Sequence, residues 1–379
     1  MEFSFSEDQN ELRRTARRFL EVASSEERVR AAMETERGYD PAIWAQLSEE
    51  LAWTALTIPE EYGGLGMSYL DLHPLMEEIG RALLCAPFLS TIGLGANALL
   101  LSGSKAQKEL YLPMIASGET RATLAFAERN NRMNADGVEA TYARRGSGYL
   151  LRGDKSYVLD GHTADLLIVA ARAEGSAGAE GVSLFLVPGD AEGLKRAWLP
   201  TMDQTRRLAS VQLREVTVSD DALVGDEGRG WGLCEKTLDL ARIALAAEQV
   251  GASEVCLEMS VEYAKVRKQF GRPIGSFQAI KHKCADMLMM VESARSAAFY
   301  ASALAAQNGD GLQEAASSAK AYCSDTFFHC AAETIQIHGG IGFTWEHPAH
   351  LYFKRAKASE NLFGDPAFHR ERVAAQMGL

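Results

Sequence analysis

The sequence predicts an α+β chain of three domains. They are an N-terminal α-helical domain over residues 1–118, a middle β-barrel or sandwich domain over 119–225 and a C-terminal four-helix-bundle domain over 226–379. Two changes of texture carry this expectation. Apolar residues recur at helical spacing up to about residue 118, give way to short strand-like runs, and return to helical spacing after Trp231. With 379 residues and 47% hydrophobic content, the chain has enough apolar side chain to bury a large core in each part.

In the first segment Ser6 is placed to cap a helix carrying Leu12, Ala16, Phe19 and Leu20 on one face, and Pro59, Gly63 and Gly64 separate later helices. The middle segment contains YLLRG, DLLIVAARA, VSLFLVPGD and SVQLREVTV, runs rich in Val, Leu and Tyr divided by Gly and Asp, which read as strands. In the third segment Phe277, Ile280, Cys284, Met287, Val291, Ala294, Ala298 and Ala301 alternate spacings of three and four, the seam of a bundle. Its later members are small, which permits close helix approach, and a similar alanine-rich face runs from Ala315 to Ala332.

Charge narrows the function. A formal net charge of −12 leaves no basic excess to displace counterions from DNA or RNA, so nucleic acid is not an expected partner. The six cysteines form no CxxC pair and read as small buried hydrophobes in a reducing cytoplasm. The opening MEFSFSEDQNEL has no basic stretch followed by an apolar run, and no apolar stretch approaches the roughly 20 residues of a membrane span. A soluble cytoplasmic protein without a metal site is therefore expected.

Four words are more specific: PEEYGGLGMS at 59–68, KAQKELYLPMIASGE at 105–119, RKQFGRPIGSFQAIKHKCADM at 267–287 and QIHGGIGF at 336–343. Together with the order helices, strands, helices, they resemble the acyl-CoA dehydrogenase family along the whole chain. The resemblance implies FAD held at the interface of an oligomer and an acyl-CoA substrate threaded between the middle and third domains. It also implies an electron-transfer flavoprotein as electron acceptor.

The chemistry of these words agrees with that implication. Arg267 offers a planar fork of donors suited to phosphate, and Gly271 after Phe270 frees the backbone there. Gln278 and Gln336 can both donate to and accept from an adenine edge or ribose. Gly339, Gly340 and Gly342 follow His338 at the end of a helical pattern, where exposed backbone amides can cradle a pyrophosphate. Each also has a plainer reading: a surface salt bridge for Arg267, a solvated position for Gln278, a helix terminator for the glycines. The resemblance assigns these residues to the FAD of the neighbouring subunit.

The sequence departs from the family at the base and at the flavin. The family's Tyr-Glu-Gly-Thr word becomes LFGD, with Phe363 in the place of the glutamate. The alternative position, 26 residues before Arg267, holds Ala241. Asp365 is the first substitute, Glu248 the second and Glu360 the third; Asp365 ahead of Pro366 is equally placed to cap the last helix. The family's Thr-Glu-Pro word becomes Phe126-Ala127-Glu128-Arg129, which removes a hydroxyl at Ala127. Its Trp-Ile-Thr word becomes Tyr157-Val158-Leu159, which keeps an aromatic face and loses a second hydroxyl at Leu159. Arg206 and Arg207 are candidates for CoA phosphate. The expected function is an FAD-dependent acyl-CoA dehydrogenase in a homo-oligomer, or in a heterotetramer with a second family chain. The rival is a non-catalytic partner subunit that completes another chain's FAD site.

Overall fold

The structure is a computed structural model and describes residues 4–379. The helices before the sheet are α1 (Glu7–Ala23), α2 (Glu26–Glu34), α3 (Pro41–Ala45), α4 (Tyr69–Arg81), α5 (Asn97–Ser102) and α6 (Lys105–Ala116). The strands are β1 (Ala122–Ala125), β2 (Thr141–Arg144), β3 (Gly148–Leu159), β4 (Leu166–Ala173), β5 (Val182–Pro188), β6 (Leu194–Leu199), β7 (Leu208–Ser219) and β8 (Leu223–Val224). Then come α7 (Gly230–Val266), the hairpin β9 (Lys268–Gln269) and β10 (Arg272–Pro273), α8 (Gln278–Ala306), α9 (Leu312–His338), α10 (Ala349–Asn361) and α11 (Pro366–Gln376). Among the described residues no helix is long and apolar enough to cross a membrane.

The chain forms two compact units that do not follow the order of the sequence. One comprises residues 4–31, 68–84 and 242–379; the other comprises 32–67 and 85–241. In the first, α8 packs on α9, and α10 and α11 also pack on α9, while the early helices α1 and α4 join this bundle. Ser6 caps α1 as expected, in a reciprocal capping box with Gln9. Met287, Val291, Ala294, Ala298 and Ala301 of the predicted seam are buried. Phe277, Ile280 and Cys284 are only half-buried, because this end of α8 flanks an open cavity of about 470 Å³.

The joining of α4 to α7 rests on two glycines. A Cβ on Gly80 would stand 1.9 Å from the Glu248 carbonyl oxygen, and one on Gly251 would stand 1.9 Å from the Glu77 carbonyl oxygen. The backbones touch reciprocally, and no side chain fits at either point. This approach carries charge into the core. Glu77 is fully buried and meets His73 at 3.2 Å, Arg295 at 2.6 Å and Arg13 at 2.8 Å. Burial pushes its carboxyl up, but the His73 contact together with Arg295 and Arg13 outweighs that and holds it at about 2.

The second unit holds the sheet. Its strands run in the order β6-β7-β3-β2-β4-β5-β8, with β1 pairing parallel to β4. The predicted middle β domain is thus one continuous open ladder. Val169, Phe185, Val187, Leu151, Val211 and Leu213 fill its interior. Register shifts in β3, between Leu151 and Gly153 and between Lys155 and Val158, are bulges that bend it. Helix α6 is tied to this sheet by Gln107 Nε2, which donates to the carbonyls of Asp221 (2.6 Å) and Leu223 (2.9 Å).

The glycine contact gives a direct test. Gly251→Ala forces α4 and α7 apart and should lower stability by at least about 1–3 kcal/mol, the usual cost of overpacking, read as a lower urea midpoint. The exposed control Gly232→Ala, where added atoms meet open space within α7, should leave the midpoint unchanged or raise it, since alanine is the better helix former.

Candidate functional site

In the sheet unit, β1 is followed by Phe126-Ala127-Glu128, and the loop they open is organised around the buried Glu128 carboxylate. Its Oε1 accepts the N–H groups of Glu139 and Ala140, each at 2.9 Å, and a proton of Lys155 Nζ at 2.6 Å. Lys155 is also fully buried and reaches the Phe126 carbonyl at 3.3 Å. Burial pushes the Lys155 ammonium down, and Glu128 opposes that. Arg172 closes the loop from the other side by donating to the carbonyls of Val138, Ala135 (2.6 Å) and Ser176 (2.9 Å).

The bulge in β3 then sets the exposed edge. Tyr157 takes a left-handed backbone (φ 57°), and its ring is 51% exposed. Ser156 N–H donates to the Ala127 carbonyl at 2.9 Å, so Ala127 and Tyr157 are brought together. Phe126 and Leu159 are not presented in the same way. Both side chains are buried, the Leu159 carbonyl accepts from Thr123 Oγ1 (2.7 Å), and only backbone is left for either to offer. The Glu128–Lys155 pair was missed in the sequence; the signal was an acidic residue after a strand and a lysine in a strand that otherwise alternates toward the core.

In the bundle unit, Phe270 (φ 52°) and Gly271 (φ 79°) form the two-residue turn of the β9–β10 hairpin. Phe270 is 91% exposed, its ring edge-on to Phe277, over which Arg272 stacks at 4.1 Å. Arg267 is exposed and its guanidinium makes no ion pair among the described residues, so the plain salt-bridge reading finds no partner. Gln278 at the start of α8 and Gln336 near the end of α9 are exposed as well.

Gly339 ends α9 at φ 63°, a conformation that suits glycine. A Cβ at Gly340 would meet nothing within 4 Å, so the chain's own packing does not require glycine there. What holds the two words side by side is His338, buried and stacked on Tyr263 with ring centroids 4.3 Å apart. Below them Ser260 Oγ and Thr334 Oγ1 are 3.0 Å apart, joining α7 to α9. Neither Tyr263 nor Thr334 stood out in the sequence, because each looks like an ordinary helix position.

The turn at Phe363-Gly364 is held by cations bound to carbonyl oxygens. Phe363 is buried with φ 63°, and its carbonyl accepts from Arg242 Nε at 2.9 Å. Lys320 Nζ donates to the carbonyls of Glu360 (3.1 Å) and Gly364 (3.2 Å) and to Ser324 Oγ (2.8 Å). Burial, with Arg242 nearby, brings Lys320 down to about 7, and burial with the same cations brings His369 down to about 2.

The proposed bases are all engaged. Asp365 is exposed and caps α11, accepting the Phe368 N–H at 2.7 Å. Glu248 lies in the bundle core, 2% exposed and 2.7 Å from Arg355 Nη1. Glu360 meets Lys357 at 3.0 Å. Ala241 is fully buried. The arginines offered for CoA phosphate are also drawn inward. Arg207 is buried, donates to the carbonyls of Met33 (2.6 Å) and Thr35 (2.7 Å) and stacks on Trp198, and Arg206 beside it is half-buried.

Family models match along the chain in the same order as its segments: the N-terminal domain of acyl-CoA dehydrogenase over residues 6–119, the middle domain over 123–216 and the C-terminal domain over 228–378. The chain belongs to the acyl-CoA dehydrogenase family. It is 36% identical to the acyl-CoA dehydrogenase IpdE2 of Mycolicibacterium smegmatis, over 98% of this chain and 99% of that protein. Butyryl-CoA dehydrogenase from Megasphaera elsdenii has a similar structure, with a TM-score of 0.93 at 27% identity over all of both chains. The ChsE4–ChsE5 complex of Mycobacterium tuberculosis gives a TM-score of 0.90 at 26% identity over 100% of this chain and 99% of the other.

For this acyl-CoA dehydrogenase chain the Glu128–Lys155 pair is the part of the edge most open to test. Lys155→Met leaves a buried carboxylate without its cation and should cost about 3–5 kcal/mol in urea unfolding. The double variant Lys155→Met/Glu128→Leu removes both charges and should recover part of that loss; equal instability of the two would show that the pair does not govern the loop.

Proposed function

We propose that this chain is a subunit of an FAD-dependent acyl-CoA dehydrogenase that desaturates the α,β bond of an acyl-CoA thioester and delivers the electrons to an electron-transfer flavoprotein. The reading is supported above all by the exposed Arg267, free of any ion pair among the described residues, one helical turn after Tyr263, whose ring stacks on His338 just ahead of the open glycines of the QIHGGIGF word. We take the functional domains as 1–118, 119–225 and 226–379. The six cysteines, all free, fit a reducing compartment, and we place the chain in the cytoplasm.

The residues fit the cofactor. Tyr157 offers an exposed ring and Ala127 lies against the same edge. Arg267 would hold phosphate through its fork, Gln278 and Gln336 the adenine or ribose, and the amides at Gly339 and Gly340 the pyrophosphate. FAD, when bound, supplies the acceptor for the hydride leaving the β-carbon. Ala127 and Leu159 carry no hydroxyl, and the hydrogen bond that a hydroxyl would add at each is worth about 0.5–1.5 kcal/mol, too little for its absence to forbid binding.

The α-proton needs a base, and Asp365 is our first candidate in this chain, ahead of Glu248. An exposed cap can exchange its hydrogen bond with the Phe368 N–H for one to water, whereas Glu248 would have to leave Arg355 uncompensated in the core. Asparagine caps a helix about as well as aspartate but accepts no proton. Asp365→Asn should therefore keep the parent melting temperature and FAD content while abolishing bleaching of the flavin by substrate. Bleaching at the parent rate would remove Asp365 from the mechanism.

A second reading rests on one observation alone: every candidate carboxylate already has a partner, Phe368 N–H, Arg355 or Lys357. On this reading the chain is a non-catalytic subunit that pairs with a second, unlike family chain, which contributes the base; the structurally similar ChsE4–ChsE5 protein is itself a complex of two named chains. The two readings separate in one experiment. The chain is purified alone and with candidate partners, and FAD per chain is measured by absorbance with mass by light scattering. One FAD per chain in an active homo-oligomer supports the first; FAD at half occupancy, gained only with the partner, supports the second.

A further inference from the structure

A second polar cleft lies in the sheet unit, at the opposite end of β1 from Ala127. Arg121 and Asp165 flank the starts of the parallel pair β1 and β4, six residues before Ala127 and hence roughly 20 Å from it along an extended strand. Arg37, Arg121, Asp165, Gly189, Asp190 and Arg196 line this cleft of about 470 Å³. Three guanidinium groups thus face two carboxylates, in a chain whose net charge is −12.

The pairing within the cleft leaves positive charge over. Arg121 and Asp165 form a two-pronged pair at 2.7 and 2.8 Å, and Arg121 also donates to the Tyr39 hydroxyl. Arg196 is half-buried, yet Nη1 donates only to carbonyls, of Ala164 at 2.6 Å and Gly161 at 3.1 Å, while Nε and Nη2 have no partner among the described residues. Arg37, at the rim, stacks against Tyr39 and enters no ion pair among the described residues. A Cβ at Gly189 would come within 2.4 Å of the Ala164 carbonyl and 3.3 Å of Arg196 Nη1, so glycine is what lets the arginine lie across this turn.

An arginine whose burial is offset only by carbonyl dipoles and more distant carboxylates is stabilised by any anion that engages its open edge. Burial pushes the Arg196 guanidinium down, and Asp165 and Asp190 oppose that only in part. Tetrahedral oxyanions match the guanidinium fork better than chloride does, and Arg37 lines the same cleft as Arg196. We propose that this cleft binds phosphate, as orthophosphate or as the phosphate of a small monoester, through Arg196 and Arg37. The site is separate from the FAD and thioester chemistry and does not depend on it.

The test uses the full chain with its FAD, in chloride buffer of fixed ionic strength, titrated with orthophosphate and separately with adenosine monophosphate by calorimetry. Binding of either should fall about tenfold in Arg196→Gln and in the exposed-rim variant Arg37→Gln, while Arg196→Lys, which keeps charge without the fork, should fall less. Tighter binding of the monoester than of orthophosphate would identify a phosphorylated metabolite as the ligand; equal binding would identify free phosphate. No saturable heat with either, or unchanged affinity in both glutamine variants, overturns the proposal. Circular dichroism of each variant guards against misfolding, and Arg37→Gln alone suffices should Arg196→Gln fail to fold.

Discussion

The bundle unit depends on the contact between α4 and α7 at Gly80 and Gly251. Because each glycine lies against the other helix's carbonyl, the axes approach as closely as two backbones can, and the residues one turn away are forced inward. Those residues include Glu77 and Glu248, whose carbonyl oxygens meet the glycines and whose carboxylates are carried into the core with them. A carboxylate placed there must be matched, and the matching cations come from several helices: Arg13 from α1, Arg295 from α8 and Arg355 from α10. One steric requirement thus fixes the electrostatics of five helices. It also explains why segments at opposite ends of the sequence share a compact unit: α1 and α4 supply charges that α7 and α8 need.

The same logic organises the sheet unit around Glu128. Its carboxylate gathers two backbone amides and Lys155, and so decides where the loop after β1 turns back. The bulge beside Lys155 lets that lysine point inward while its neighbour Tyr157 points outward. A strict alternation places residues 155 and 157 on the same face; the extra residue in the ladder is what separates them.

Much of this was legible in the sequence, and the reasons differ by element. The helical seam of α8 was visible because burial imposes a period on residue type, as at Met287, Val291 and Ala294. The cap at Ser6 was visible because local backbone chemistry imposes residue types at single positions, and at Gly271 the same chemistry showed a freed backbone but not the hairpin it closes. The continuity of the sheet was not, since strand order is a matter of long-range pairing that no window of sequence records. The cap that Asp365 makes ahead of Pro366 was legible too, but the engagement of Glu248 and Arg207 was not. Both looked available by residue type and spacing, and both are committed to partners far away in the chain. Charged residues are the least readable part of such a site because their availability depends on what else reaches them.

The exposed hairpin has a consequence for the isolated chain as a colloid. Phe270, Phe343 and Trp345 of the bundle unit present aromatic surface, with Phe270 91% and Phe343 79% in contact with solvent. Hydrophobic edges of this kind draw molecules together, while a net charge of −12 drives identical copies apart, and more strongly as salt is diluted. The balance makes self-association of this polypeptide a function of ionic strength. Screening lets the aromatic rims meet, whereas desalting disperses them, so the history of the buffer becomes a determinant of whether the chain is found alone, assembled or precipitated.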